Sequence, residues 1–381
     1  MTKILAVMPR IARFPPSSGD EVRFFKLLQK EQENWGANAI VSTGKPVFSK
    51  KTISKSKVIS VPLGVSLRTD KAPKIYSLIP FLKYVVYPFH LALFASTIFV
   101  KSMKNPAFIH AHTIEGGLAA FLPSKILNVP LVLDLHDVDS AKSMKIQKTN
   151  VLACSIFEYL EKLMIQNAQV VLATNKIQKK KAIAKGAKKV EIVPNGFDSA
   201  FFPLKKPSKN IVLYVGDLIA YQGVSTLIDA IELVSKKKPL VQLRIIGKGP
   251  QEEFLRKKSE KLKVNAVFLG LKTKTQVADE IRRSTVCVSP QLKNGFTNAA
   301  QPIKVLEYSA CKKPVVSSDL DGAREILKNA LFAKPNNAKD LAKKILQASA
   351  NPKKYTSNVR GYTWNAAFKK LKASLSSYFQ K

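Results

Sequence analysis

Apolar residues along this chain come in short runs of four or five, separated by longer stretches in which they return every three or four positions. The runs predict buried strands, and the stretches predict helices with one face turned to a core. Residues 4–8, 38–42, 58–61, 108–111, 131–135, 170–173 and 190–193 read as strands, with helices at 21–34, 116–127, 151–167 and 176–185. Such alternation builds a doubly wound α/β domain whose ligands sit at the carboxyl ends of the strands. The series closes at Pro194-Asn195-Gly196. Residues 197–210 hold Pro203, Pro207 and a basic cluster, which suits a linker. A second series has strands at 211–215, 242–246, 266–269, 286–289 and 314–317, and helices opening near 224, 251, 275 and 301. Beyond Asp319 the pattern turns helical. The division expected is 1–200, 201–345, and a helical segment 346–381 that crosses back onto the first domain.

Residues 79–100 form the most apolar part of the chain and are long enough to span a bilayer, but they include Pro80, Lys83, Pro88 and His90. A span would also separate the first strands from their sheet partners. A buried helix or one lying on a membrane surface fits better. The first apolar run ends at Pro9 and is too short for a signal peptide. Cys154, Cys287 and Cys311 are scattered, which fits a reducing, cytoplasmic setting. The formal charge of +37 favours anionic partners such as a nucleotide, a nucleic acid or an acidic lipid surface. No recognised nucleic-acid motif accompanies it, so no specific nucleic-acid partner is expected.

Residues 290–325 carry the densest chemistry. A strand runs into a loop rich in Asn and Gly, and then into a helix on which Lys304 and Glu307, three residues apart, share one face near the amino end. Free N–H groups at such an end attract anions. Gly216, Gly223, Gly247 and Gly249 follow second-series strands, where a backbone has to approach a phosphate closely. Lys248 reads equally as a phosphate contact or a free surface lysine. His110, His112 and His136 lie at or just past first-series strand ends, and His112 reaches furthest into its loop. Asp134, Asp137 and Asp139 raise a metal reading, but Asp134 and Asp137 flank a strand end and diverge, so an acceptor-orienting role suits Asp137 better. Neither a nucleophile elbow nor a Walker-type loop is present, which leaves hydrolase and kinase readings without support.

Five segments, at 109–117, 193–198, 214–223, 244–250 and 302–316, together resemble the GT-B glycosyltransferases of family 4 over nearly the full length. In sequence they read Ile-His-Ala-His-Thr-Ile-Glu-Gly-Gly, Val-Pro-Asn-Gly-Phe-Asp, Tyr-Val-Gly-Asp-Leu-Ile-Ala-Tyr-Gln-Gly, Arg-Ile-Ile-Gly-Lys-Gly-Pro and Pro-Ile-Lys-Val-Leu-Glu-Tyr-Ser-Ala-Cys-Lys-Lys-Pro-Val-Val. The resemblance implies two Rossmann-like domains facing across a cleft, and a retaining, metal-independent hexosyltransferase. It uses no cofactor beyond the nucleotide diphosphate sugar, its co-substrate. Glu307 matches the ribose-binding glutamate, Gly19 the glycine near the donor phosphates, and His112 the histidine beside the transferred sugar. Tyr221, Gln222, Gly216, Gly247, Lys248, Phe296, Pro302 and Ile303 complete the expected donor site, with His136 and Asp137 on the acceptor side. Ala299, Asp217 and Gln222 stand where many members carry Glu, Arg and Lys, so Lys304 is expected to supply the positive charge those positions lack. The partners implied are a nucleotide sugar and a glycan or lipid-linked acceptor, with peripheral association at the inner face of an anionic membrane. A non-catalytic GT-B protein that binds a glycan or a partner is the alternative.

Overall fold

The computed structural model describes residues 4–11, 19–42, 58–61, 82–136, 151–198, 201 and 210–379. The chain divides into two units, Met1–Pro194 with Ala367–Lys381, and Asn195–Ala366.

In the first unit the strands are β1 (Ile4–Ile11), β2 (Asn38–Ser42), β3 (Val58–Val61), β4 (Phe108–His112), β5 (Leu131–Leu135), β6 (Val170–Ala173) and β7 (Val190–Ile192). All pair in parallel, in the order β3-β2-β1-β4-β5-β6-β7. The helices are α1 (Gly19–Trp35), α2 (Leu82–Ser102), α3 (Thr113–Ile126), α4 (Val151–Asn167) and α5 (Lys176–Ala184). Connections reverse direction between β1 and β4, which makes the carboxyl ends of these strands the place for a ligand. Successive residues of a strand face opposite ways. Ile109 and Ala111 accordingly enter one core with Leu5, Val7 and Leu133, while His110 and His112 share the other face with Ala6, opposite which His110 is registered. Helix α1 covers that second face. Asp20 and Glu21 occupy its positive first turn, and Phe24, Leu27, Leu28 and Trp35 are buried along it.

The second unit has a six-stranded parallel sheet in the order β10-β9-β8-β11-β12-β13. Its strands are β8 (Ile211–Val215), β9 (Gln242–Ile246), β10 (Ala266–Phe268), β11 (Val286–Ser289), β12 (Val315–Ser318) and β13 (Leu331–Ala333). Helices α6 (Val224–Ser235), α7 (Glu252–Lys261), α8 (Lys274–Arg283), α9 (Ile303–Ala310), α10 (Asp321–Ile326) and α11 (Ala338–Ala350) surround it, and α12 (Trp364–Leu375) follows. Both faces are covered: Val212, Tyr214, Val286 and Val288 enter one core, and Leu213 and Cys287 the other. Such strands read as unbroken apolar runs, as these do. The reversal falls between β8 and β11.

Three sequence expectations are corrected. Residues after Asp319 include the strand β13, paired with β12, because Leu331 and Ala333 complete the sheet edge beneath α11. Residues 346–366 remain with the second unit, since Leu346, Ala348 and Tyr355 pack on one of its cores and Val359 and Tyr362 on the other; only Ala367–Lys381 belong to the first. The supposed linker contains two core residues, Phe197 and Phe201, which are 2% and 0% exposed. Apolar burial of that size outweighs the local proline signal.

Candidate functional site

Lys304 lies at the second position of α9, and its Nζ donates to Gln222 Oε1 at 2.8 Å. The same ammonium is 3.4 Å from the Tyr214 hydroxyl and 4.5 Å from the centre of its ring. Two buried tyrosines fix this corner. Tyr214 donates from its hydroxyl to the Asp217 carbonyl at 2.9 Å, and Tyr308 Oη accepts the Val215 N–H at 2.8 Å, tying α9 to the end of β8. Gly216 completes it with φ +147°, a backbone that side chains rarely adopt, and a Cβ there would sit 2.7 Å from Lys304 Nζ. Gly247, at φ +138°, leaves no room for a Cβ against the Gly216 carbonyl. The glycines thus let two strand ends meet beside one lysine.

Helix α9 starts two residues later than its pattern suggests, at Ile303. Pro302 caps it in extended conformation, and Gln301 is held outside by Asn195. The Asn195 N–H donates to Gln301 Oε1 at 2.6 Å and Asn195 Nδ2 to the Gln301 carbonyl at 2.9 Å. Pro302 and Ile303 are half-buried beside the open helix end. Glu307 follows one turn after Lys304, with no hydrogen bond to its carboxylate among the described residues. Burial raises its pKa to about 7, with nearby Lys274 acting in the opposite direction. Burial lowers the Lys304 pKa to about 7, opposed by Asp217 and Glu307. Tyr221 and Phe296 meet edge-on at 5.7 Å between ring centres, and the Leu292 N–H donates to the Tyr221 carbonyl at 2.9 Å. Lys248 is exposed, and buried Ala299 offers no polar group.

A second constellation occupies the carboxyl ends of β4 and β5 in the first unit. His110, His112, His136 and Asp134 are all buried. Arg23 of α1 grips Asp134, with Nε 3.1 Å from Oδ1 and 3.0 Å from Oδ2 and with Nη2 3.0 Å from Oδ1. His110 Nδ1 lies 2.5 Å from Glu31 Oε1, and its Nε2 3.7 Å from Asp134 Oδ2. Burial alone would lower the His110 pKa, but Glu31 and Asp134 hold it at about 9. The His112 pKa falls well below the usual range through burial and the neighbouring His110 charge. Asp134 stays ionised: against its burial, Arg23 and the histidines hold its pKa well below the carboxylate range. His112 Nδ1 stands 3.1 Å from His136 Nε2, and Phe24 packs edge-on against the His112 ring. The next residue, Thr113, has φ +68°, a strained backbone that turns the chain sharply after His112.

His110, His112 and Asp134 lie close enough to share a cation. The guanidinium on Asp134 and the charge on His110 already compensate that carboxylate. Of the acceptor-side pair, His136 joins the cluster and Asp137 lies outside the described residues, as does Asp139. Gly19 is the exposed first residue of α1. Sequence reading missed Arg23, Glu31, Tyr214 and Tyr308. Glu21, Arg23 and Glu31, polar residues at positions that α1 buries, were the sequence signal for the first two.

Residues 197–360 match the family model described as glycosyl transferases group 1, and residues 60–196 match the glycosyl transferase 4-like domain. An uncharacterized glycosyltransferase of Methanocaldococcus jannaschii is 28% identical over 253 residues, covering 64% of this chain and 65% of that protein. The N,N'-diacetylbacillosaminyl-diphospho-undecaprenol alpha-1,3-N-acetylgalactosaminyltransferase of Campylobacter jejuni is 33% identical over 145 residues, 37% of this chain and 35% of its own. The chain thus spans less than two thirds of the length of these curated relatives. Among solved structures, sucrose-phosphate synthase from Thermosynechococcus elongatus aligns over 100% of both chains with a TM-score of 0.77 and 17% identity. Anabaena HepE, in complex with UDP and glucose, aligns over 99% of this chain and 100% of its own, with a TM-score of 0.74 and 17% identity.

Proposed function

Because this chain belongs to the group 1 glycosyl transferases, with a 4-like amino-terminal domain and the GT-B pair of Rossmann-like domains, we propose that it transfers a sugar from a nucleoside diphosphate to a glycan or lipid-linked acceptor. The observation that carries this reading is the corner formed by Lys304, Gly216 and the open end of α9, with Glu307 one turn away. Transfer breaks the bond from the anomeric carbon to a diphosphate oxygen while an acceptor hydroxyl oxygen takes its place; the hydroxyl proton leaves and charge gathers on the diphosphate. Lys304 and the first N–H groups of α9 suit that developing charge. Its arrival also restores the Lys304 proton that burial weakens.

In this reading Glu307 accepts from the ribose hydroxyls and Gly19 borders the donor phosphates. Gly216, Tyr221, Gln222, Gly247, Lys248, Phe296, Pro302 and Ile303 form the rest of the donor site. His112 stands beside the transferred sugar, and His136 with Asp137 faces the acceptor. Retention of configuration, a hexose as the transferred group and freedom from metal belong to the same proposal, the last supported by a lysine placed where a cation is needed.

A lipid-linked acceptor is supported by the outer surface of the first unit. Phe89, Leu93 and Val100 recur along α2 on one stripe, exposed by 73%, 42% and 58%, and Met103, just past its end, is exposed by 66%. Leu122 and Ile126 are likewise exposed on α3, which packs against α2, and Ile156 and Tyr159 on α4, which packs against α3. Lys101, Lys104, Lys125 and Lys162 lie on or just past these helices, and α2 contains no acidic residue. Among the described residues no helix is long and apolar enough to cross a membrane. We therefore place the protein peripherally on the inner face of an anionic membrane.

The test is a panel of nucleotide sugars incubated with purified protein, with and without membrane lipid extract and with and without a chelator. Release of nucleoside diphosphate from one donor, unaffected by the chelator and lost in Glu307→Ala, is the expected result. No release from any donor in any condition would overturn the assignment.

A further inference from the structure

The donor chemistry makes no use of a chain of contacts that leads from the first turn of α1 to His112. Asp20 Oδ1 lies 3.6 Å from His136 Nδ1, within electrostatic reach but beyond hydrogen-bond length, and His136 Nε2 lies 3.1 Å from His112 Nδ1. The far nitrogen, His112 Nε2, is buried and has no hydrogen-bond partner among the described residues. We infer that Asp20 and His136 are positioning residues that fix the tautomer of His112, keeping its proton on Nδ1 and leaving the Nε2 lone pair to accept a hydroxyl of the bound sugar.

The argument begins at the carboxylate. A carboxylate favours the proton on the imidazole nitrogen that faces it, so Asp20 favours a proton on His136 Nδ1 and leaves His136 Nε2 to accept. The nitrogen opposite, His112 Nδ1, must then donate. Asp134 works in the same sense: its Oδ2 is 3.6 Å from His112 Nδ1, beyond hydrogen-bond length but attracting a proton to that side. Burial, and then the neighbouring His110 and Arg23 charges, disfavour a second proton on this ring, so it stays neutral. Phe24 holds it edge-on at 4.9 Å between centres, and the left-handed turn at Thr113 prevents the strand from carrying it further. What remains is a fixed ring with one bare acceptor.

This inference rests on the transferase reading for what Nε2 receives, but not for the tautomer, which belongs to the free protein. The chain has only four histidines, so 15N-histidine labelling gives a spectrum with four imidazole pairs. Long-range 1H–15N correlation at pH 7.5 should show His112 neutral with Nδ1 protonated, by a preference of roughly tenfold, the amount one net hydrogen bond supplies. His136→Phe and Asp20→Asn should each move the His112 proton toward Nε2, whereas His136→Gln, whose amide oxygen still accepts, should keep it on Nδ1. The doubly protonated His110 signal serves in every variant as the check that the cluster has folded. An Nε2–H form of His112 in the wild type, or a tautomer unmoved in both His136→Phe and Asp20→Asn with the His110 signal intact, would overturn the inference. With an active donor in hand, His136→Phe should lower kcat about tenfold with KM little changed, and His136→Gln should recover most of it.

Discussion

Lys304 and Glu307 both carry pKa values near 7 in the free protein, and a bound nucleoside diphosphate would move them in opposite directions. The anion stabilises charged Lys304, so binding takes up a proton above pH 7 and affinity falls as pH rises. Ribose hydroxyls stabilise charged Glu307, so binding releases a proton below pH 7 and affinity falls as pH drops. UDP affinity measured by calorimetry should therefore peak near pH 7. Glu307→Gln should remove the acid limb and Lys304→Gln the basic limb, and Lys304→Ala should weaken binding about 10- to 100-fold. His110 gives a separate pH signature. Its pKa rises from 6.5 to about 9 on folding, so its stabilisation is complete below pH 6.5 and is lost as pH climbs through 9. The shift corresponds to roughly 3 kcal/mol. Urea unfolding at pH 6, 7.5 and 9 should show that slope in the wild type and not in His110→Gln. At this scale the sequence exposed the residues at strand and helix ends, His112, His136, Lys304 and Glu307. It hid their partners: Arg23 and Asp134 are 111 positions apart, and Tyr214 and Tyr308 look like ordinary apolar positions until β8 and α9 are placed together.

The strands were the most legible elements, because parallel strands covered on both faces are unbroken apolar runs. β13, Leu331–Ala333, escaped because it lies between two helical segments, α10 and α11, in a stretch whose pattern reads as helical beyond Asp319. The start of α9 was misjudged by two residues for a tertiary reason, the capture of Gln301 by Asn195. The outer stripe of α2 shows the opposite case, where hydropathy marked a segment correctly but could not say which side faces out. Phe94 and Ile98 are fully buried while Phe89 and Leu93 are open. Flotation with vesicles containing anionic lipid should carry the wild-type protein, and Leu93→Glu with Ile126→Glu should reduce the bound fraction about tenfold or more, since each loses apolar contact and adds a repelled charge. UDP affinity of that variant should be unchanged, because neither position belongs to the second unit.

For the molecule as a whole, the charge of +37 means that binding to vesicles should weaken steeply between 50 and 500 mM salt, a range taken only to span the Debye lengths at which about 10 Å falls to a few. The two tryptophans divide conveniently between the units, Trp35 in the first and Trp364 in the second. UDP at about 100 times its dissociation constant stabilises whatever binds it by about 2.7 kcal/mol. In single-tryptophan variants the unfolding midpoint reported by Trp364 should rise more than that reported by Trp35, and equal shifts would argue against a donor site in the second unit. The first unit has one further property. Phe368 packs on Trp35 at 4.9 Å between ring centres, and Tyr378 on Phe108 at 6.1 Å, so its last contacts come from residues 367–379. A ribosome delivering this chain makes β1 early but releases those aromatic rings only after the whole second unit has emerged. The unit that begins translation first is thus completed last, and until then it waits with Trp35 and Phe108 unshielded, a window in which a chaperone has something to hold.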